Sequence, residues 1–599
     1  MSQVAMKHPG SKGRFGGPVV KAKDSKGTLI RIWNYMRKEK APLILAILFV
    51  LLTTILGLVG PYLIGIIIDE YVIPKDISGT VRMGAILAVV YLALSFFTWI
   101  QSYIMIRVSL VTIKQLRQEL FDQLQSLSLR FFDRRTTGDL MSRVTNDIDQ
   151  LNNALSQSVI QIFSSVLTVV GVLIAMLYLN WMMALVTICV IPIMFYTTKK
   201  IIKYSSSNFI KRQRDLGELN GVVEESISGL EIIQLFGQEE RVFDRFSKVN
   251  ERLRTSSANA EIVSGFIGPV NNFINNLGMG LIIASGALLT LHGLATVGVI
   301  AAFVTYSRQF FRPINQMSSL LNTFQSAIAG AERAFEIMDE VPDLQDKRDA
   351  ISIDVLIGDV EFSNVSFGYK EGIPILRNIS LQARAGQTIA IVGPTGSGKT
   401  TLLNLLTRFY EVDSGEVKID GHNIKDYRIS DLRRNIGIVL QDTFLFSGSI
   451  MENIRYGKLE ATDEEVIRAA KAASAHRFIK HLPNQYDTII TSGGNNLSQG
   501  QKQLLAIARA ILADSRLLIL DEATSSIDTK TEIEIQSGLR NLMEGRTSFV
   551  IAHRLKTIEH ADLILVIRDG ELTEKGTHEE LMAQKGFYYE SYRNQFEMG

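Results

Sequence analysis

A chain of 599 residues exceeds what one hydrophobic core organises, so two or more domains are expected. Hydrophobic residues at 46% beside charged residues at 21% read as one strongly apolar part joined to one ordinary soluble part. A net charge of +2 excludes a globally basic surface for nucleic acid, and the sole cysteine, Cys189, excludes an internal disulfide and any cysteine-based metal cluster. Cys189 lies in an apolar run and reads as a small buried hydrophobe.

Residues 1–26 are rich in glycine and lysine without an apolar centre, so they read as a flexible cytoplasmic tail and not as a cleavable signal. Next, 28–40 carries Leu29, Ile32, Trp33 and Met36 on one helical face and Arg31, Arg37 and Lys38 mostly on the other. That pattern fits a short helix lying along a membrane surface. Charges then vanish over 41–68, 83–106, 150–198 and 262–307. The last two stretches each leave room for two crossings of about twenty residues. Turns are expected at Asn180–Trp181 and at His292–Gly293, giving six spans at roughly 42–66, 83–106, 158–179, 182–201, 268–291 and 296–318.

Lysine and arginine concentrate in the tail, in 107–149 and in 199–261, whereas the connections near 180 and 292 have none. The positive-inside rule then places both termini and the two long connections in the cytoplasm. Leu116, Leu120, Leu124 and Leu127 keep a helical stripe going, so the second to fifth spans are expected to continue well beyond the bilayer. Two polar features interrupt the spans: Asn271, Asn272, Asn275 and Asn276 in the fifth, and Arg308 and Arg312 in the sixth, where Pro313 predicts a bend. Each has two readings. They line a substrate pathway, or the asparagines bond helix to helix and the arginines snorkel to the interface.

Near Val341 the character changes to a polar linker with Pro342, Asp343, Asp346 and Lys347, followed by strands alternating with helices. A short apolar strand at 387–392 runs into Gly393, Pro394, Thr395, Gly396, Ser397, Gly398, Lys399, Thr400 and Thr401. This matches the phosphate loop G-x-x-x-x-G-K-[ST] in its strand–loop–helix context. Its backbone amides close on phosphate oxygens at the positive end of a helix, Lys399 reaches the β- and γ-phosphates, and Thr400 ligates Mg²⁺. Further on, four apolar residues at 517–520 lead into Asp521 and Glu522. Such a position suits one carboxylate to hold Mg²⁺ and the next to polarise an attacking water.

Between these motifs lies Leu497-Ser498-Gln499-Gly500-Gln501, and with it the chain resembles the ATP-binding cassette (ABC) transporter superfamily over nearly its whole length. Six spans ahead of the nucleotide domain narrow the likeness to the exporters, nearest to the catalytically intact subunit of bacterial heterodimeric multidrug exporters. The resemblance implies an all-α six-helix transmembrane domain fused to an α/β P-loop ABC nucleotide-binding domain. The expected boundaries are a tail at 1–26, a transmembrane domain at 27–340 with two long intracellular loops, and the nucleotide-binding domain at 341–599. It also implies roles for individual residues. Tyr369 matches the aromatic that stacks on adenine, and Gln441 the glutamine that senses Mg²⁺ and the attacking water. Ser498 and Gly500, followed by Gln501, match the signature that contacts ATP held by the other nucleotide domain. Asp528, after Ser525-Ser526-Ile527, belongs to the loop linking the two ATP sites, and His553 matches the histidine on the γ-phosphate.

ATP and Mg²⁺ are the implied cofactors, and Glu522, His553 and Gln441 the implied catalytic residues. Because one nucleotide domain supplies half of each site, a second half-transporter is implied, a heterodimer in preference to a homodimer. Phe131-Phe132-Asp133 with Thr137-Gly138-Asp139 and Ser142-Arg143 resembles the first intracellular loop, and 229–240 resembles the second. Two departures stand out: Gln499 replaces the commoner glycine, and Ser492 stands where many exporters carry glutamate. The implied activity is ATP-driven alternating-access export of amphipathic drugs or lipids from the cytoplasm or inner leaflet, in contact with membrane lipids, in a bacterial plasma membrane. Nucleic acid is not an expected partner. A lipid flippase is the nearest alternative; a peptide exporter with proteolytic processing and a soluble ABC ATPase acting on nucleic acid or ribosomes are the remoter ones.

Overall fold

The computed structural model describes residues 23–370, 372–441, 443–494, 496–521, 528–551 and 559–597. The chain divides into two compact units, one of residues up to Gln125 together with Thr137–Glu340, the other of Ser126–Thr136 together with Val341–Gly599. The unit changes at Glu340, but the short helix Leu129–Asp133 belongs with the second unit, whereas the sequence reading kept it inside 27–340.

The first unit is helical. Its first helix is Ser25–Met36, starting ahead of the expected 28 because Asp24 caps it, the carboxylate accepting from Gly27 N at 2.9 Å. Ile32 and Met36 are buried while Leu29 and Trp33 are exposed. Arg31, read as part of the polar face, pairs with Asp339 at 2.6 Å and lies over the Phe335 ring. Long helices follow at Lys40–Ile66, Ile77–Ser126, Val159–Leu179, Trp181–Ser228, Ile267–Leu291 and Val297–Met338. Five helical stretches among the described residues are long and apolar enough to cross a membrane. Val297–Met338 is not among them, because Ser307, Arg308, Gln309 and Arg312 dilute its apolar run. At 1.5 Å per residue the 50 residues of Ile77–Ser126 extend about 75 Å, more than twice a hydrocarbon core of about 30 Å.

Both expected turns are present. Asn180 is extended, its side-chain oxygen accepts from Met182 N and Met183 N, and its amide donates to Leu294 O at 3.0 Å, which ties the two turns together. The apolar surface of this unit is arranged as a membrane requires, with Leu92, Trp99 and Ile174 turned outward. Cys189 follows the same rule: it is exposed and not buried, since an apolar run in a membrane span offers its small residues to lipid or to other helices. The buried centre is held by polar links. Arg333 on Val297–Met338 grips Asp147 through two bonds of 2.8 and 2.5 Å, with the Asp147 side chain only 7% exposed.

The second unit contains two main sheets. One is antiparallel, in the order Leu376–Ala383, Val360–Phe367, Ser414–Ile419, His422–Asn423. The other has six strands in the order Glu571–Gly576, Leu563–Arg568, Thr388–Val392, Thr547–Ile551, Leu517–Asp521, Ile436–Val439, parallel except for the first pair. The central strands are buried on both faces and therefore read as continuous apolar runs. Helices at Lys399–Leu406 and Gln499–Ala513 cover the sheet.

The Arg333–Asp147 pair generates a test. Arg333→Ala should lower the stability of the purified protein by about 2 kcal/mol, because it strands a buried carboxylate. The double variant with Asp147→Ala should recover part of that loss. Thermal unfolding of the three forms in one detergent measures it.

Candidate nucleotide site

The parallel strands bring the predicted chemistry to one edge. Ile551 pairs with Ile391 on one side and with Asp521 on the other, and Val392 pairs with Val566. The strand ends at Val392, Asp521 and Ile551 therefore lie side by side, at the carboxyl edge where open α/β sheets bind ligands.

From Val392 the chain turns through Gly393 (φ 154°), Gly396 (φ 82°) and Gly398 (φ 104°) into the helix Lys399–Leu406. A side chain at Gly393 would sit 2.1 Å from Ile567 O, so only glycine lets the loop leave the strand here. The helix starts without a side-chain cap, which leaves its first N–H groups for an anion. Ser397 Oγ is buried with no hydrogen-bond partner among the described residues. Lys399 is buried and donates to Gly393 O at 2.8 Å and to Pro394 O at 2.9 Å, so the ammonium is aimed into the loop. Burial pushes its pKa down, and the Asp521 carboxylate partly opposes that shift. Pro394, Thr395 and Thr400 are exposed at the mouth, while Thr401 is buried behind it. The loop thus gathers uncapped helix N–H groups, an unpartnered hydroxyl and a cation, an arrangement that suits an anion.

Tyr369 sits above the same helix. Its hydroxyl donates to Thr401 Oγ1 at 3.3 Å and accepts from Asn404 Nδ2 at 3.3 Å. Its ring meets Tyr410 edge to face, with centroids 5.1 Å apart, and Tyr410 in turn donates to Asp133 Oδ2 at 2.5 Å. Burial, reinforced by that bond, raises the Tyr410 pKa. The helix Leu129–Asp133 is thereby joined to the aromatic beside the phosphate loop.

Ser498 is not part of the phosphate loop's hydrogen bonding. It caps the helix Gln499–Ala513, accepting from Gln501 N at 3.3 Å while the Gln501 side chain accepts from Ser498 N at 3.0 Å. Ser498 is exposed and Gly500 buried. Gln499, the departure from the commoner glycine, donates from its amide to Gln441 O at 3.4 Å, a link that glycine could not make. Asp528 caps the helix Thr529–Met543 by accepting from Thr531 N at 3.0 Å, which lowers its pKa. Glu522, Ser525, Ser526, Ile527 and His553 lie outside the described residues, as does the side chain of Ser492. Nothing in the sequence signals Asn404 and Tyr410 as neighbours of Tyr369, or Asp133 as the partner of Tyr410, because these residues lie far apart along the chain.

The loop geometry predicts a graded response to alanine. Gly393→Ala meets a backbone carbonyl and should destabilise the protein by about 2 kcal/mol or more, whereas Gly396→Ala, with nothing within 4 Å, should cost about 1 kcal/mol for its left-handed backbone alone. Thermal unfolding of the two variants without nucleotide measures the difference.

The ABC transporter transmembrane region family matches residues 43–314, and the ABC transporter family matches 376–525. The chain is 49% identical over 577 residues to the "Uncharacterized ABC transporter ATP-binding protein YfiC" of Bacillus subtilis, covering 96% of each. It is 42% identical to the "Fatty acid ABC transporter ATP-binding/permease protein" of Mycobacterium bovis, covering 86% of this chain and 82% of the relative. With the "ATP-dependent lipid A-core flippase" of Syntrophus aciditrophicus it shares 39% identity, over 85% and 84% of the two chains. Among solved structures, a bacterial Atm1-family ABC exporter with ATP bound superposes with a TM-score of 0.76 at 30% identity, covering 93% of this chain and 98% of that one. The chain is an integral membrane half-transporter of the ABC exporters, in which a helical transmembrane domain is fused to an α/β domain that couples ATP hydrolysis to transport.

Proposed function

We propose that this half-transporter exports a lipid-like amphiphile, using ATP sandwiched between its own phosphate loop and the signature of a partner. The observation that carries the nucleotide half of this reading is the Lys399 cradle at the sheet edge. The lipid half is supported by relatives named for a fatty acid and for lipid A, and by spans that turn large apolar side chains such as Leu92, Trp99 and Ile174 outward. Amphipathic drugs are the second cargo class.

In this reading Tyr369 stacks on adenine, Gly393, Pro394, Thr395, Gly396, Ser397, Gly398 and Thr401 shape the phosphate cradle, and Lys399 bonds the β- and γ-phosphates. Thr400, Gln441 and Asp521 are the residues that would hold Mg²⁺, which neutralises charge on the phosphate oxygens when bound. Glu522 takes a proton from the water that attacks the γ-phosphorus, and His553 steadies the γ-phosphate. Ser498, Gly500 and Gln501 serve the nucleotide on the partner's loop, and Asp528 lies between the two sites. Exposure of Ser498 supports this, since a cap facing solvent can meet a second molecule. Exposure of Ile232, Leu235 and Phe236 around the short helix Leu230–Leu235 supports a partner there as well.

We place the chain in a bacterial plasma membrane with six spans and both termini in the cytoplasm, paired with a different half-transporter. A complex purified through a tag on this chain should contain a second half-transporter; a complex holding this chain alone would establish the homodimer. In sealed vesicles, ATP should drive movement of a labelled fatty acid or phospholipid. Movement of a cationic drug with no movement of lipid would overturn the lipid reading.

Two variants test the site. Lys399→Ala should weaken ATP binding about tenfold or more, and unchanged affinity would remove its phosphate role. Glu522→Gln should bind ATP and lose about two orders of magnitude of turnover.

A pH profile tests Lys399 further. Burial holds the free lysine below its ordinary 10.5, and a bound phosphate raises it, so binding at alkaline pH takes up a proton. ATP affinity should therefore fall as pH rises through the depressed value. Titration calorimetry in buffers of different ionisation enthalpy measures the uptake, which Lys399→Arg should abolish.

A further inference from the structure

Within the helical unit lies a cavity of about 230 Å³, walled by the helices Lys40–Ile66, Ile77–Ser126, Val159–Leu179 and Val297–Met338. Its polar lining includes Thr53, Thr98, Gln101, Ser164, Thr168 and Gln309, and no lining residue is charged. Neutral hydrogen-bonding groups gathered at one place in apolar helices are costly unless something answers them.

Part of that demand is met internally. Thr53 Oγ1 bonds Val50 O at 3.0 Å and Gln101 Oε1 at 3.2 Å, and Thr98 Oγ1 bonds Leu94 O at 2.7 Å. Gln309 Nε2 donates to Gly57 O at 3.3 Å. What is left unspent among the described residues is the Gln101 amide N–H₂, the Gln309 carbonyl oxygen and the hydroxyls of Ser164 and Thr168. Gln101 is only 5% exposed, so its free donors are held in place by the surrounding helices.

The remaining groups both donate and accept, and they carry no cation. They complement a head group that itself donates and accepts. An ionised phosphate or carboxylate would lose its hydration here with no opposite charge to replace it. The volume also limits the guest, since drug-sized ligands occupy about 300–1,000 Å³. This space fits a head group, with Leu58 and Leu94 as the apolar part of its wall. Arg308 and Arg312, by contrast, are exposed and absent from the lining, while Asn271 accepts from Thr198 Oγ1 at 3.1 Å between two helices.

We propose that this cavity is a head-group site, taking the small uncharged head of a single-chain amphiphile (an amide, a hydroxyl or a protonated carboxyl) and rejecting ionised phosphate. The proposal rests on the amphiphile-export reading above and narrows its cargo.

The test is equilibrium binding of radiolabelled dodecanamide to the full transporter in lipid nanodiscs, with partition into empty nanodiscs subtracted. Gln101→Leu should weaken saturable binding about tenfold, and Gln101→Asn should restore part of it. Thr168→Val, a smaller change that preserves the helix, should weaken it by about fivefold and serves where the leucine variant does not fold. Dodecanol should compete well and dodecyl phosphate at least about tenfold less well. Dodecanoic acid should compete better near about pH 4.5, where more of it is protonated, than near about pH 8. Binding unchanged in the Gln101 and Thr168 variants, or equal competition by dodecyl phosphate, overturns the site. If binding follows the expected pattern but ATP moves none of the same amphiphile in wild-type vesicles, the export reading fails and the head-group site stands.

Discussion

The strand Thr547–Ile551 is hydrogen-bonded to Thr388–Val392 on one side and to Leu517–Asp521 on the other, in parallel and in register. Everything the nucleotide unit does depends on that pairing. It brings the end of the strand that feeds the phosphate loop level with the end of the strand that carries Asp521, although the two lie more than a hundred residues apart. A slip of one residue would exchange the side chains packed against the two faces and shift Asp521 along the sheet relative to the phosphate loop, so the packing that fixes the register also fixes the electrostatics.

Lys399 shows how the site is prepared before a nucleotide arrives. Its ammonium is satisfied by two loop carbonyls and its charge is opposed by desolvation, so the loop holds a cation in a place that favours an anion. Of the glycines that permit this shape, Gly393 against Ile567 O leaves no room for another residue, while Gly396 is needed for its left-handed backbone alone. From the same helix, Thr401 and Asn404 hold Tyr369, whose ring leans on Tyr410 and so reaches Asp133. The helix Leu129–Asp133 is thus fastened to the aromatic pair beside the phosphate loop.

In the helical unit the solvent is inverted. Large apolar side chains face outward, while Arg333–Asp147 and the neutral cavity around Gln101 lie among the helices. The polar groups of the membrane unit therefore divide into those that are spent on holding helices together and those that remain available to a guest. Asn271 belongs to the first kind, whereas Gln101 is divided between the two, its Oε1 accepting from Thr53 on a neighbouring helix and its amide N–H₂ left over.

The sequence by itself determined the phosphate loop, the buried strand ending at Asp521, the charge-free spans and both tight turns, because each is written in contiguous residues with a local physical period or a local backbone demand. It misjudged Cys189, since an apolar run says only that a segment avoids water and not which side of a helix meets its neighbours. It also kept Ser126–Thr136 with the helical unit, because chain continuity conceals the bond from Tyr410 to Asp133. Only the tertiary structure decided which polar residues are satisfied. Thr53, Gln101, Thr168 and Gln309 come from four different helices, and hydrogen-bonding capacity left over after packing is a property of that assembly which no stretch of sequence carries.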